Sequence, residues 1–107
     1  MQRLTIVRYA TKPSRADENE ALSRAVFAEL KAKAPDHVAY ALFRDGDEFV
    51  HVFINTREDD ADVLTELPSF RAFAKDAADR YTAPPEQTRL RLGLVDAYGL
   101  TSAMAPA

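Results

Sequence analysis

The side chains best equipped for proton chemistry near neutral pH are two histidines and four tyrosines. The chain has no cysteine, which removes thiolate nucleophiles, disulfides and thiolate metal sites. Tyr40 and His51 occur in two apolar runs, VAYALF (38–43) and FVHVFI (49–54), on either side of Asp45-Gly46-Asp47-Glu48. An Asp-Gly pair between such runs signals a hairpin, so these two side chains are expected on adjacent antiparallel strands. An imidazole on a partly buried strand can act as a general base towards a phenol, or hydrogen-bond it. The plainer role is a structural histidine bonded to Tyr40 or to backbone. Tyr40 has the same two readings, as a ligand contact or as a buried phenol with its hydroxyl satisfied.

Strand parity sorts the neighbours of this pair. A turn at Asp45-Gly46 sets Tyr40 opposite His51, whereas a four-residue loop sets Tyr40 opposite Phe53 and Leu42 opposite His51. Both registers give one face with Val38, Tyr40, Leu42, Phe49, His51 and Phe53, and another with Ala39, Ala41, Phe43, Val50, Val52 and Ile54. The second set is small and β-branched and is expected to lie beneath helices. The aromatic set is then expected on the other side of the sheet. Leaving its large apolar side chains in water would forfeit about 1.5–3 kcal/mol each, so a ligand or a second copy of the chain should cover it.

Tyr9 ends one strand with Arg8 beside it, and Arg89 and Arg91 lie on another. A guanidinium reaching a cavity can bind a carboxylate or enolate, while the plainer role is a rim ion pair. The candidate set is therefore His51 and Tyr40 for catalysis, with Tyr9, Arg91, Leu42, Phe49 and Phe53 for substrate binding. His37, at a loop entering a strand, is expected to be exposed. No metal site is expected, because the histidines are fourteen residues apart and the acidic run 58–62 lacks calcium-loop spacing; that run reads as a solvated helix start. Three glycines leave no phosphate-cradling loop.

The elements that must position these residues are legible in order. Arg3–Tyr9 reads as a strand. A helix follows from near Ser14 or Asp17 to Pro35, with Leu22, Val26 and Leu30 as its stripe. The hairpin strands 38–43 and 49–54 come next. Pro68 opens a second helix, carrying Phe70, Phe73, Ala74, Ala77 and Tyr81 at helical spacing up to Pro84-Pro85. Thr88–Ala97 reads as a last strand with Gly93 as a bulge. The order β-α-β-β-α-β predicts an α+β, ferredoxin-like plait with a four-stranded antiparallel sheet and helices on one face.

With 107 residues, the chain is expected to form one domain, with a core over about 3–99 and a loose tail over 100–107. A formal charge of −3 argues against nucleic acid or an anionic membrane as partner. No apolar run has spanning length and the N-terminus lacks signal-peptide character, so a cytoplasmic location is expected.

The segments VRYATKP, ADENEALSRAVFAEL, VAYALFRDGDEFVHVF, LPSFRAFAKDAADRY with the following APP, and VDAYG resemble the dimeric α+β barrel superfamily, in particular small proteins related to the antibiotic biosynthesis monooxygenases. The resemblance implies a homodimer with a cavity between sheet and helices or inside the barrel. It also implies a small apolar or aromatic ligand, and cofactor-independent oxygenase chemistry if the protein is an enzyme. Such enzymes use Asn, Trp, Tyr or Arg to hold a phenolic substrate; this chain has no Trp, and neither Asn19 nor Asn55 maps onto the catalytic Asn. Haem-degrading relatives need a helix-borne His, and neither histidine here falls in the second helix. The rival reading is a non-enzymatic, stress-related homodimer whose aromatic sheet face serves only as its interface.

Overall fold

The computed structural model describes residues 2–56 and 63–98. The acidic run 58–62 and the tail 100–107 lie outside the described residues. Four strands, β1 (Gln2–Ala10), β2 (Val38–Asp45), β3 (Glu48–Asn55) and β4 (Glu86–Leu92), form one antiparallel sheet in the order β2-β3-β1-β4. Helices α1 (Ala16–Lys33), α2 (Pro68–Lys75) and the single turn α3 (Ala77–Arg80) complete the order. This is the expected ferredoxin-like plait.

The hairpin takes the longer of the two registers: Tyr40 pairs with Phe53, Leu42 with His51 and Asp45 with Glu48. Only Gly46 and Asp47 form the turn, and Gly46 has φ +61°. A positive φ at the first central residue of a two-residue hairpin loop favours glycine there. Parity is preserved, so the two residue sets share faces as expected.

Which set lies under the helices is the reverse of the expectation. Phe49, His51 and Phe53 are buried, and the core joins Tyr9 and Phe49 to Val26 and Leu30 of α1 and Phe73 of α2. On the other face, Phe43, Leu90 and Leu92 are exposed. The aromatic face is therefore occupied by helices and is unavailable as a subunit interface. Size misled the assignment. The helix layer needs polar partners as well as volume, because α1 inserts Asn19 and Ser23 into its buried stripe. The Asn19 amide meets Tyr9 rather than Val or Ile, while the Ser23 hydroxyl bonds back to the Asn19 backbone carbonyl of its own helix.

Other differences are local. The second helix breaks at Asp76 (φ −117°, ψ 23°) before its last turn. Tyr81 then leaves it to form a β-bridge with Thr11. The last strand begins at Glu86 and ends before Gly93, which marks its end rather than a bulge. His37 is mostly covered, with 12% of its side chain exposed. Arg8 follows its plainer reading, facing Glu48 at 3.4 Å on the open side.

At the end of α1, Ala34 adopts the left-handed conformation (φ 46°, ψ 53°) while its N–H bonds Leu30 O at 2.7 Å. That conformation costs an L-residue about 1–2 kcal/mol, partly offset by glycine's greater unfolded-state freedom. Ala34→Gly should therefore raise stability by about 0.5–1 kcal/mol. Urea unfolding checks this, with an unchanged or lower midpoint as the contrary result.

Candidate functional site

His51 lies on β3, between β2 and β1. Its diagonal neighbours across those two seams are Tyr40 and Tyr9, paired in register with Phe53 and Phe49. Both phenols turn towards it. Tyr9 Oη is 2.7 Å from His51 Nε2, and Tyr40 Oη is 2.6 Å from His51 Nδ1. The rings pack as well, with Tyr9 and Tyr40 stacked on His51 at centroid distances of 5.3 and 5.8 Å, and Phe73 edge-on at 5.8 Å.

The network continues into the helices. Asn19 Nδ2 donates to Tyr9 Oη at 2.9 Å, and Ser23 Oγ donates to the Asn19 carbonyl at 2.8 Å. Arg80 closes α3 and is fully buried. Its Nε donates to Asn19 Oδ1 at 3.0 Å and its Nη2 to Phe73 O at 2.7 Å, while the guanidinium sits 4.9 Å above the Phe73 ring. Arg80 has no carboxylate partner among the described residues. Two carbonyls and an aromatic face support its charge instead.

A cavity of about 380 Å³ opens between this network and α2. Tyr9, Tyr40, His51, Phe53, Phe70, Phe73 and Tyr81 give it aromatic walls, and Arg3, Gln87 and Arg89 line it from the β1–β4 side. Of the candidate residues, Tyr9, Tyr40, His51 and Phe53 meet at the cavity. Leu42 and Phe49 do not line it. Phe49 is sealed between the Tyr9 ring, stacked at 5.6 Å, and the Arg44 guanidinium at 5.3 Å. Arg91 is not among the lining residues; Arg89, two positions earlier on the same strand face, is. Asn19 and Arg80 are the participants that sequence reasoning missed. A signal for Arg80 existed, because it lies seven residues after Phe73 and so shares that residue's helix face.

Burial pushes the His51 pKa down to about 4 and raises those of Tyr9, Tyr40 and Tyr81. The His51–tyrosine group is therefore uncharged at physiological pH, and both imidazole nitrogens are already engaged. His51 is bonded to Tyr40, as the plainer of its two readings has it, and joins two phenols. Among the described residues no cluster of His, Asp and Glu is arranged to hold a metal ion, and no helix is long and apolar enough to cross a membrane.

Solved structures with this architecture span nearly the whole chain. Rv0793 from Mycobacterium tuberculosis superposes with a TM-score of 0.73 at 20% identity, over 90% of this chain and 100% of that one. A provisionally named antibiotic biosynthesis monooxygenase from Caulobacter crescentus gives 0.73 at 17% identity, over 87% and 91%. Another, from Nitrosomonas europaea, gives 0.72 at 18%, over 88% and 91%. The chain shares the fold of these proteins. At such identities the likeness concerns the fold alone. No family model matches the sequence, and no curated protein matches it either.

The fold here carries a buried histidine whose titration couples to folding. With a folded pKa of about 4 against an ordinary 6.5, the unfolded chain binds the proton first as pH falls. The contribution is fully present above about pH 6.5 and is lost as pH drops towards 4, amounting to about 3 kcal/mol. His51→Gln should flatten the pH 4–6.5 stability profile by about that amount relative to the parent chain, measured by urea unfolding. Parallel profiles for the two proteins would show that His51 titrates normally.

Proposed function

We propose that the chain binds a small aromatic molecule bearing a ring oxygen in the cavity between sheet and helices, and oxidises it with dioxygen without a cofactor. The observation that carries this reading is the convergence of Tyr9, His51 and Tyr40, joined by hydrogen bonds, on an aromatic cavity of about 380 Å³. That volume suits a ligand of two or three fused rings. The polar end of the ligand would sit between the Tyr40 hydroxyl and the Arg89 guanidinium, with its rings against Phe53, Phe70 and Phe73. The names of the Caulobacter and Nitrosomonas neighbours point the same way.

The chemistry follows from a His51 that is uncharged and a weak base. With no base near pH 7, the substrate must ionise easily itself, as acidic phenols and enols do. The site's share is then to hold the oxyanion by hydrogen bond and charge. An electron-rich carbanion adds dioxygen at a ring methylene. Loss of one water leaves a carbonyl there, so one O2 converts CH2 to C=O plus H2O with all four electrons drawn from the substrate. Tyr40→Phe should weaken binding of 1-naphthol, followed by its fluorescence, about tenfold. Absence of saturable binding to the parent protein would sink the ligand-site reading.

The same reading includes a homodimer, now through the opposite sheet face. Leu4, Ile6, Val52, Ile54, Leu90 and Leu92 form an aliphatic surface there that no helix among the described residues covers. A second copy apposing the same surface would bury it by two-fold symmetry. Val52→Asp should then convert the protein to monomer in sedimentation velocity, whereas Phe53→Asp would strike the helix-covered core instead. A Val52→Asp protein that sediments like the parent would show that this face is not the interface.

A further inference from the structure

We infer that Arg80 and Asn19 are positioning residues that set the direction of the whole hydrogen-bond chain, so that Tyr40 presents its O–H as a donor to the cavity and the site selects ligands with an acceptor oxygen. This rests on the cavity being the ligand site.

Direction follows from donor and acceptor bookkeeping along five residues. A guanidinium only donates, so the Asn19 amide atom facing Arg80 Nε at 3.0 Å must be its oxygen. That fixes the amide, and Nδ2 then donates to Tyr9 Oη at 2.9 Å. Tyr9 has one hydrogen, and His51 Nε2 stands 2.7 Å from its oxygen. If Nε2 accepts, a neutral imidazole must carry its proton on Nδ1. Nδ1–H then donates to Tyr40 Oη at 2.6 Å. The Tyr40 hydrogen finds no further partner in the protein among the described residues, and Tyr40 lines the cavity. Each link leaves the next group one hydrogen to pass on. The fully buried guanidinium is the fixed end, because it alone cannot reverse.

The competing arrangement is specific. Tyr81, whose ring packs 4.1 Å from that of Tyr9, could take the Tyr9 hydrogen instead. Nε2 would then keep the imidazole proton, Tyr40 would donate to Nδ1, and the cavity would meet a Tyr40 lone pair. The two chains therefore differ in the His51 tautomer, which 15N-edited NMR reads directly in the ligand-free protein. The parent chain should show the Nδ1–H form; an Nε2–H form overturns the inference.

Asn19→Asp tests the role of the fixed end without removing the buried charge. A carboxylate of the same shape keeps the bond from Arg80 Nε but accepts from Tyr9 rather than donating to it. Tyr9 then takes a hydrogen from Nε2, and the tautomer should switch to Nε2–H with the fold retained. A variant that folds and remains Nδ1–H overturns the role assigned to Asn19 and Arg80. Arg80→Lys is the second variant. It keeps a cation but loses the fork that holds Asn19 and Phe73 together, and should populate both tautomers; a single Nδ1–H form would overturn the role of the guanidinium.

The ligand consequence is read with two probes of similar size, 1-indanone, which only accepts, and indole, whose N–H only donates. The parent protein should bind 1-indanone about five- to tenfold more tightly, and Asn19→Asp should abolish or invert that preference. Equal binding of both probes by the parent overturns the claimed selectivity. If neither probe binds, the cavity reading falls and the ligand selectivity with it, whereas the tautomer measurement still decides the direction of the chain.

Discussion

A neutral imidazole buried in the middle of a helix-covered sheet is the constraint around which the rest of this protein is arranged. Taking both ring nitrogens out of water without partners would cost several kcal/mol. Each nitrogen therefore has a phenol, delivered from the strand on either side. Those phenols in turn bring their own requirements into the interior. Tyr9 is met by Asn19, and Asn19 by Arg80. Arg80 is held there by two of its nitrogens, Nε on Asn19 and Nη2 on the Phe73 carbonyl, while Nη1 is buried with no hydrogen-bond partner among the described residues. The cavity lies where this network ends, so the demands of folding and the material for binding come from the same side chains.

Much of the scaffold was legible from local chemistry. The β-branched runs, the Pro68 helix start, the Leu22–Val26–Leu30 stripe and the Gly46 hairpin each rest on a near-neighbour rule, and each appears where it was expected. Parity also placed Tyr40, His51 and Phe53 together. The face they occupy was not legible from size, since aromatic and aliphatic sets can each support a helix layer. Asn19 bears on it, because its amide lies in the buried stripe of α1 and meets Tyr9 on that face. The break at Asp76 was also missed, because a continuous helical period runs through it. Arg91 was preferred over Arg89, although strand parity puts both on one face; how far along the strand the cavity extends is a matter of tertiary packing.

The two faces of the sheet now have distinct duties. The aromatic side carries hydrogen bonds, ring contacts and the cavity. The aliphatic side carries apolar shape and the exposed Arg8–Glu48 ion pair. Such a division separates changes on the aliphatic face from the hydrogen-bonded chain one sheet thickness away, because side chains on alternate positions of a strand share backbone but not neighbours.

The five linked residues come from five different elements: Tyr9 from β1, Asn19 from α1, Tyr40 from β2, His51 from β3 and Arg80 from α3. The bond from Arg80 to Asn19 joins positions 61 residues apart in sequence. No two-element fragment contains the chain, and loop-closure entropy delays contacts of such separation until the rest of the sheet is in place. The five-residue chain is closed only when all five elements are in place, so opening any one of them breaks it.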